Sequence, residues 1–148
     1  MTQVCIVGAS DVELRYELLS RETARDALST YDLYEPYANT LSLRTVSVGA
    51  AVSLLNDLNW YLVRFADDAL VLEPSISEDE WLSRALASAV RDEHITPNET
   101  DQYYKIYGVR DDELTDPRYA TRADGVPDYD REVDATVVIR ITKEEFDR

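Results

Sequence analysis

The first part of the chain alternates a short apolar run with a longer amphipathic segment. Residues 3–7 form an apolar run that ends at Gly8, which predicts a first strand followed by a tight turn. Ser10 precedes the next segment and Glu13 follows three residues later, the pattern of a capping box. Apolar residues then recur at helical spacing. We therefore expect a strand, a turn and one helix over about residues 11–30.

The central part of the chain is richer in apolar residues and predicts further strands around a helix. Residues 41–48 are strand-like, and residues 49–58 carry an apolar seam at helical spacing. Residues 60–65 are aromatic or aliphatic on both faces except at Arg64, which is typical of a central strand. Residues 69–72 follow as a short strand. This segment therefore predicts the core of the sheet.

Two capping patterns predict the next helices. Ser77, with Glu80 three residues later, indicates a helix over about residues 77–91. Pro97 lies where a first helical position is expected and predicts a second, short helix. Residues 103–109 then read as a strand that emerges from it.

The segment over residues 110–134 differs in kind, with nine acidic residues against four arginines. It predicts either a long loop excursion or a loose hairpin that uses residues 118–121. Residues 136–141 alternate cleanly as a final strand, and Thr142 with Glu145 begins a last helical turn. Taken together, the elements predict an α/β or α+β fold with a single mixed β-sheet of about four to six strands and three to four helices packed on it. The whole chain, residues 1–148, is expected to form a single globular domain.

Charge composition changes this picture most. The chain holds 30 Asp and Glu residues against 15 Lys and Arg, a net charge of −15, and its only lysines are Lys105 and Lys143. Such an acidic surface is typical of proteins from salt-rich cells, because molar salt shortens the Debye length to about 3 Å and suppresses self-repulsion. We therefore predict a halophilic protein.

Cysteine usage and hydropathy indicate where the chain works. Cys5 is the only cysteine, so the chain forms no intramolecular disulfide. The start of the sequence lacks the basic and apolar regions of a secretion signal, and no apolar run is long enough for a membrane span. These features predict a cytoplasmic protein with no membrane association.

One turn is a candidate ligand-binding site. Gly8, Ala9, Ser10 and Asp11 join a strand to a helix, as in nucleotide-binding units where backbone amides hold a phosphate. The match is partial, since the glycine-rich fingerprint is absent and the capping box alone accounts for the residues. The turn remains a candidate site for a phosphorylated or nucleotide ligand.

The search for reactive groups gives no catalytic residues. Cys5 lies in an apolar strand, and the single histidine, His94, is distant in sequence, so neither has an evident activating partner. One histidine without a second histidine or cysteine at ligand spacing does not predict a metal site. We expect no metal and no cofactor.

Two segments are candidate protein-contact surfaces. The first is the tyrosine-rich connection formed by Tyr31, Tyr34 and Tyr37. The second is the start of the acidic excursion. Its contact residues are Asp111, Asp112 and Glu113. Tyrosines are enriched at protein interfaces, and long loops in compact domains are often functional.

Nucleic acid is disfavoured as a partner because the acidic excess is spread along the chain. The nearest basic cluster is Arg15, Arg21 and Arg25, and it alternates with carboxylates that can pair with it. A role as a regulator associated with RNA or DNA is therefore the weakest hypothesis.

The lysine-poor acidic composition and the motif GAAVSLLNDLNWYLVRF over residues 49–65 support a resemblance. On these features the chain resembles a small family confined to haloarchaea and without assigned function. The resemblance implies no catalytic residues. Our leading hypothesis is a non-catalytic protein-binding or adaptor module whose partner is another protein. The alternative is a small enzyme or sensor that acts on a phosphorylated or nucleotide ligand at the first strand–helix turn. The sequence leaves the oligomeric state open.

Overall fold

The computed structural model of the chain describes residues 1–123 and 133–148. Within these ranges one curled mixed sheet contains eight strands in the order β2-β1-β3-β4-β8-β5-β6, with β7 also paired to β5. The strands are β1 (Thr2–Gly8), β2 (Thr40–Thr45), β3 (Ala66–Leu72), β4 (Trp81–Ser83), β5 (Tyr103–Arg110), β6 (Glu113–Leu114), β7 (Arg118–Thr121) and β8 (Ala135–Ile141).

Neighbouring strands are antiparallel except at one place. Strand β4 pairs with β8 in parallel through Trp81 opposite Ile139 and Leu82 opposite Arg140. On its other side β4 is antiparallel to β3. This three-residue strand therefore joins the half of the sheet built from β1–β3 to the half built from β5–β8.

Six α-helices and one 3₁₀ turn complete the described part of the chain. The helices are α1 (Leu14–Leu19), α2 (Glu22–Leu28), α3 (Val48–Asp57), α4 (Asn59–Phe65), α5 (Arg84–Arg91) and α6 (Lys143–Phe146), and the 3₁₀ turn is Pro97–Glu99. In these ranges no helix has both the length and the apolar character needed to cross a membrane.

The two faces of the sheet build two separate cores. Side chains alternate along a strand, so Val4 and Ile6 of β1 point to a core shared with helices α1–α5, whereas Cys5 and Val7 point to the opposite face. On that opposite face, β1 and β3 pack against side chains of β5 and β8, including Ile139. The curl of the sheet thus encloses a second core, which we call the concave core.

Several sequence predictions are confirmed. The first strand, the strand over residues 103–109 and the last strand are present as β1, β5 and β8. The predicted seam of α3 is buried. Thr142 and Glu145 form the predicted capping box at α6, with Thr142 Oγ1 accepting a hydrogen bond from Glu145 N at 3.1 Å.

The predicted fold class is wrong in its counts and in its layering. Among the described residues the sheet has eight strands where four to six were expected, and there are six helices where three to four were expected. The helices do not mainly pack on the sheet, because they also pack on one another: α2 packs chiefly on α1, and α3 packs on α5 as well as on β1–β3. Strands of two to four residues such as β4, β6 and β7 are too short to show a periodic pattern.

Two segments take a different secondary structure from the predicted one. Residues 60–65 belong to helix α4 and not to a central strand. A short run that is apolar on both faces suits either state, and here the helix continues directly from α3. The single helix expected over residues 11–30 is two helices, α1 and α2, separated at Ser20 and Arg21.

The predicted N-caps at Ser10 and Ser77 are also wrong. Helix α1 begins only at Leu14, and its N-cap residue makes no side-chain capping bond. Ser77 Oγ does accept a hydrogen bond from Glu80 N at 3.0 Å, but a turn and strand β4 follow. The Glu80 side chain instead pairs with Arg140 of β8 at 2.8 Å. The N-cap of α5 is Ser83.

The acidic excursion is partly described. Residues 118–121 form β7 and pair with β5, which agrees with the hairpin alternative, while β6 adds two further residues to the same edge. Residues 124–132 of the predicted excursion lie outside the described residues. Within its described residues, the excursion therefore adds strands β6 and β7 to the sheet.

Replacing Ser83 should reveal which serine caps α5. Ser83 Oγ accepts from Leu86 N at 3.2 Å and donates to Glu145 Oε1 at 2.6 Å. We expect Ser83→Ala to lower the free energy of unfolding by about 1–2 kcal/mol, the usual cost of a lost cap and a buried hydrogen bond. Ser77→Ala is the matched control and should cost less than about 0.5 kcal/mol. Urea denaturation measures both values, and equal losses would contradict the assignment.

Candidate functional site

Three side chains from β3 and β5 meet on the concave face of the sheet. Lys105 Nζ lies 2.6 Å from Asp68 Oδ2, and the Tyr107 hydroxyl donates a hydrogen bond to the same oxygen. The side chains of Asp68 and Lys105 are each 15% exposed. A charged pair with this little contact to water is uncommon and requires specific partners. We call Asp68, Lys105 and Tyr107 the lysine cluster.

Strand alternation and the curl of the sheet together assemble the lysine cluster. Tyr103, Lys105 and Tyr107 occupy alternate positions of β5 and so share one face. Asp68 shares its face of β3 with Leu70, which packs in the concave core with Tyr107. Strands β4 and β8 lie between β3 and β5 in the sheet, so only its curvature brings Asp68 to Lys105.

The protonation states of the lysine cluster suit binding more than proton transfer. Burial raises the pKa of Tyr107, and the neighbouring Asp68 carboxylate raises it further, so the phenol stays neutral and donates. Burial alone would lower the pKa of Lys105, but the attraction of Asp68 outweighs it and the pKa lies above its usual value. Lys105 is therefore a fixed ammonium group at neutral pH.

The lysine cluster borders an open pocket of about 520 Å³, a volume within the range of small-ligand sites. Lys105 and Tyr107 line one side of the pocket. The other walls come from the end of β1, the first strand–helix turn, the connection before β2, the start of β3 and the hairpin that contains β6. They include Gly8, Ser10, Ala38, Asn39, Asp67, Glu113, Leu114, Thr115, Asp116 and Pro117.

Asn39 fixes the wall formed by the first turn. Its φ of 55° lies in the left-handed region, which asparagine tolerates better than most residues. Its backbone oxygen accepts from Gly8 N, its Nδ2 donates to Ala9 O, and its Oδ1 accepts from Leu14 N, each at 2.9 Å. A Cβ on Gly8 would approach Asn39 Nδ2 to 2.6 Å, so only glycine fits. One side chain thus holds the turn and the first amide of α1.

The predicted ligand-binding turn lies at the pocket but does not form a phosphate cradle through its first amides. Gly8 and Ser10 line the pocket, whereas Ala9 and Asp11 are not among its lining residues. Gly8 N donates to Asn39 O and Ala9 N to Phe65 O, both at 2.9 Å. These two amides are therefore directed into the fold and not toward a ligand.

The three tyrosines predicted as a contact surface are distributed over different parts of the fold. Tyr31 packs against the core that the sheet shares with helices α1–α5, and Tyr37 packs against the concave core. Tyr34 donates to Gln3 Oε1 at 3.3 Å, and its backbone pairs with Ser42. All three are half-buried. They do not form one continuous surface.

The acidic residues predicted as a second contact surface form the turn between β5 and β6. Asp111 and Asp112 have φ values of 51° and 64°, as in a two-residue hairpin turn whose twist suits the flanking strands. Asp112 O accepts a hydrogen bond from Ala38 N at 2.7 Å, which ties the turn to the connection before β2. Glu113 lines the pocket. The turn between β5 and β6 therefore contacts the connection before β2 beside the pocket.

The remaining candidates for reactive chemistry lie apart from the pocket. Cys5 is buried, and burial raises the pKa of its thiol to about 11, so the reactive thiolate is scarce at neutral pH. Across residues 1–123 and 133–148, no three His, Cys, Asp or Glu side chains come together as metal ligands, and His94 is exposed.

Sequence reasoning missed the lysine cluster. Asp68 directly precedes the strand predicted over residues 69–72, and Lys105 lies within the strand predicted over residues 103–109. The available signal was composition, because Lys105 is one of only two lysines in the chain and lies in a strand between aromatic residues. A lysine at such a position has an energetic cost that calls for a partner. The partner itself is 37 residues away and cannot be identified from spacing.

The fold and the pocket define a mixed α and β domain with a polar, ligand-sized site on the concave side of its sheet. The chain belongs to a family of unknown function, DUF5804, whose profile matches residues 2–109. The match includes the lysine cluster and the first turn, and it ends before β6. Comparisons with curated proteins and with solved structures gave no match.

Paired substitutions should show whether the ion pair of the lysine cluster stabilises the fold. We expect Asp68→Asn to lower the free energy of unfolding by about 1–2 kcal/mol, because it leaves the partly buried Lys105 ammonium without its carboxylate. The double variant Asp68→Leu/Lys105→Met should cost less than this single change, since no unpaired charge remains. Chemical denaturation of both variants measures the values. A larger loss in the double variant would show that the pair contributes net stability.

Proposed function

We propose that this chain is a ligand-binding module and that a small polar molecule binds in the pocket beside the lysine cluster. The observation that carries the proposal is Lys105, one of two lysines in this chain, which lies at the pocket wall and is paired with Asp68. The same Asp68 oxygen accepts a hydrogen bond from Tyr107. An ion pair that is largely withdrawn from water is seldom the most stable choice, because apolar residues of similar size do as well or better. Ligand binding in the pocket would explain why the chain has the Asp68–Lys105 ion pair at this position, whereas a contribution to fold stability does not.

The charges of the pocket favour a ligand that carries an amino group together with an oxygen-bearing group. Asp67 and Glu113 are exposed carboxylates at the pocket, whereas Lys105 is its cationic lining residue among the described residues. An ammonium group would be attracted by the carboxylates, and a carboxylate or hydroxyl oxygen would suit the lysine. A phosphate dianion would meet the carboxylates unfavourably. These charges support a small zwitterion or amino compound over a phosphorylated ligand.

The protein-binding and nucleic-acid hypotheses remain predictions with less geometric support at the residues first named for them. Tyr31, Tyr34 and Tyr37 are separated, as described above. Arg15 lies 3.6 Å from Glu35, and Arg21 lies 3.0 Å from Glu17, so both arginines already have carboxylates close by. Neither arrangement forms a pre-built surface for a macromolecule.

A ligand screen with matched lysine variants tests the proposal. The change in Tm is measured with free amino acids, small amines, sugars and nucleoside monophosphates, each added to the purified chain. We expect an amino acid or amine to raise Tm by stabilising the folded state. Lys105→Met should abolish the increase, whereas Lys143→Met, which removes the other lysine, should retain it.

A second pair of variants guards against loss of folding in Lys105→Met. Asp67→Asn and Glu113→Gln alter exposed carboxylates and leave the core unchanged, and each should weaken binding of the same compound by at least about threefold, as expected for a lost charge-assisted contact. Absence of any stabilising amino compound, or binding that persists in all three variants, would refute the proposal.

We also propose that the chain is adapted to high salt and acts in a salt-rich cytoplasm. The support is the net charge of −15 with 30 acidic residues. At low salt the carboxylates repel one another over about 10 Å, whereas molar salt limits this repulsion to about 3 Å. Acidic surfaces of this kind therefore favour the folded state more strongly as salt rises.

Lowering the salt concentration tests this adaptation. When KCl falls from 2 M to about 0.1 M, where the Debye length is about 10 Å, we expect cooperative unfolding or expansion of the chain. Far-UV circular dichroism and small-angle X-ray scattering would detect the change, and sucrose at matched osmolality is the uncharged control. Identical spectra and dimensions across the KCl series would contradict the adaptation.

A further inference from the structure

A second cavity, of about 800 Å³, lies beside the pocket of the lysine cluster. Its walls come from the first turn, helix α1 and the connection before β2. Ser10 and Asn39 line both cavities, so the two adjoin at the first turn. We call the second cavity the α1 pocket. Its volume is in the range of small-ligand sites, and the proposed function leaves it without a role.

Apolar and aromatic side chains line the α1 pocket. Leu14 is buried, whereas Val12 and Leu19 are half-buried. Tyr16 is 64% exposed, and it lies three residues before Leu19, so both share one side of helix α1. An apolar group that covered these side chains would release water and contribute binding free energy in proportion to the area covered.

The less exposed polar side chains of the α1 pocket already bond within the fold. Asn39 Oδ1 accepts a hydrogen bond from Leu14 N, and its Nδ2 donates to Ala9 O, each at 2.9 Å. Thr40 is buried, and its Oγ1 donates to Tyr37 O at 2.7 Å and accepts from Tyr37 N at 3.1 Å. Apolar contact is therefore what the inner part of the α1 pocket mainly offers to a ligand.

The charged side chains of the α1 pocket lie in water. Glu13, Arg15 and Glu35 are exposed, and Arg15 lies 3.6 Å from Glu35. Exposed charges of this kind are screened and contribute little net affinity. The α1 pocket can therefore hold an apolar group, but its charged residues do not fix the orientation of a whole ligand. The neighbouring pocket supplies that orientation through Lys105, whose side chain is 15% exposed.

We propose that the ligand beside the lysine cluster is an amino acid with a long apolar side chain, and that this side chain crosses Ser10 into the α1 pocket. The inference rests on the proposed function and specifies its ligand. The carboxylate of the amino acid would bind Lys105, and its ammonium group would bind the carboxylates of Asp67 and Glu113. The apolar side chain would cover the apolar lining of the α1 pocket. The polar end fixes the orientation, and the apolar end adds affinity.

Other ligands match the two pockets less well. A fatty acid could place its chain in the α1 pocket, but it lacks the ammonium group that Asp67 and Glu113 would attract. A nucleotide would bring the negative charge of its phosphate to the same carboxylates. A short amino acid such as glycine would leave the α1 pocket to water. An amino acid with a long apolar side chain suits both pockets, and this selects the ligand class.

A series of amino acids of increasing chain length tests the inference. Isothermal titration calorimetry in molar KCl measures the Kd of glycine, 2-aminopentanoate and 2-aminooctanoate with the full-length chain. Complete removal of one methylene group from water strengthens binding about fourfold, so 2-aminooctanoate should bind at least about tenfold more tightly than glycine. Octanoate has the same carbon chain without the amino group, and it should bind at least about threefold more weakly than 2-aminooctanoate.

Variants in the α1 pocket separate the apolar contact from the polar one. Val12→Thr replaces a methyl group by a hydroxyl, and Tyr16→Ala removes an exposed ring. Each should weaken binding of 2-aminooctanoate at least about threefold more than binding of glycine. Val46→Thr is the matched control and should leave both affinities unchanged, since Val46 is 81% exposed and lines neither pocket. Glu113→Gln should weaken both ligands alike, because it alters only the contact with the amino group.

The possible results separate a failure of this inference from a failure of the proposed function. If glycine and 2-aminooctanoate bind equally well, or if Val12→Thr and Tyr16→Ala affect both ligands alike, the proposed function stands and the inference is overturned. If octanoate binds as tightly as 2-aminooctanoate, the α1 pocket binds apolar chains without the lysine cluster, and the inference is again overturned. If none of the amino acids binds, both the proposed function and the inference fail.

Discussion

Strand β4 is the connection on which the rest of the structure depends. It has three residues, and it pairs with β3 on one side and with β8 on the other. Without it, the strands β1–β3 and the strands β5–β8 would be two sheets with separate edges. Side-chain contacts stabilise the same connection. Arg140 of β8 pairs with Glu80 at 2.8 Å and donates a hydrogen bond to Thr100 Oγ1 at 2.9 Å. Joining the halves lets the sheet curl, and the curl creates both the concave core and the pocket.

The sequence predicts elements well where the pattern is periodic and long enough to bury one face. Strand β8 and helix α3 meet this condition, and their patterns are alternation and helical spacing. Strand β5 is predicted instead from residue types that favour strands. Prediction fails where a tertiary contact competes with a local signal. Ser77 and Glu80 form a helix-start pattern, yet the Glu80 carboxylate binds Arg140 and Trp81 enters the sheet. Local propensity is a weak preference, and a partly buried ion pair together with sheet pairing outweighs it.

In the candidate site, too, residues within a local pattern could be predicted from the sequence, whereas contacts between residues distant in sequence could not. Gly8 and Ser10 could be identified as pocket residues because a glycine between a strand and a helix marks a turn. Asn39, which fixes that turn, lies 25 residues from the amide of Leu14 that it binds. Asp68 and Lys105 meet only because the sheet is curved. Curvature depends on the pairing of all the strands, so no spacing within the sequence reveals it.

Strand β5 is paired along both edges for most of its length, with β8 on one side and with β6 and β7 on the other. Its backbone amides are therefore hydrogen-bonded on both edges and protected from exchange with water. Opening the strand requires several strands to separate together. Lys105 projects from this strand and is held at its tip by Asp68, so most of its rotational freedom is already lost on folding. A molecule that binds beside Lys105 meets a preorganised group. Selectivity at such a wall comes from rigidity, since a mismatched ligand finds a surface that does not rearrange to accommodate it.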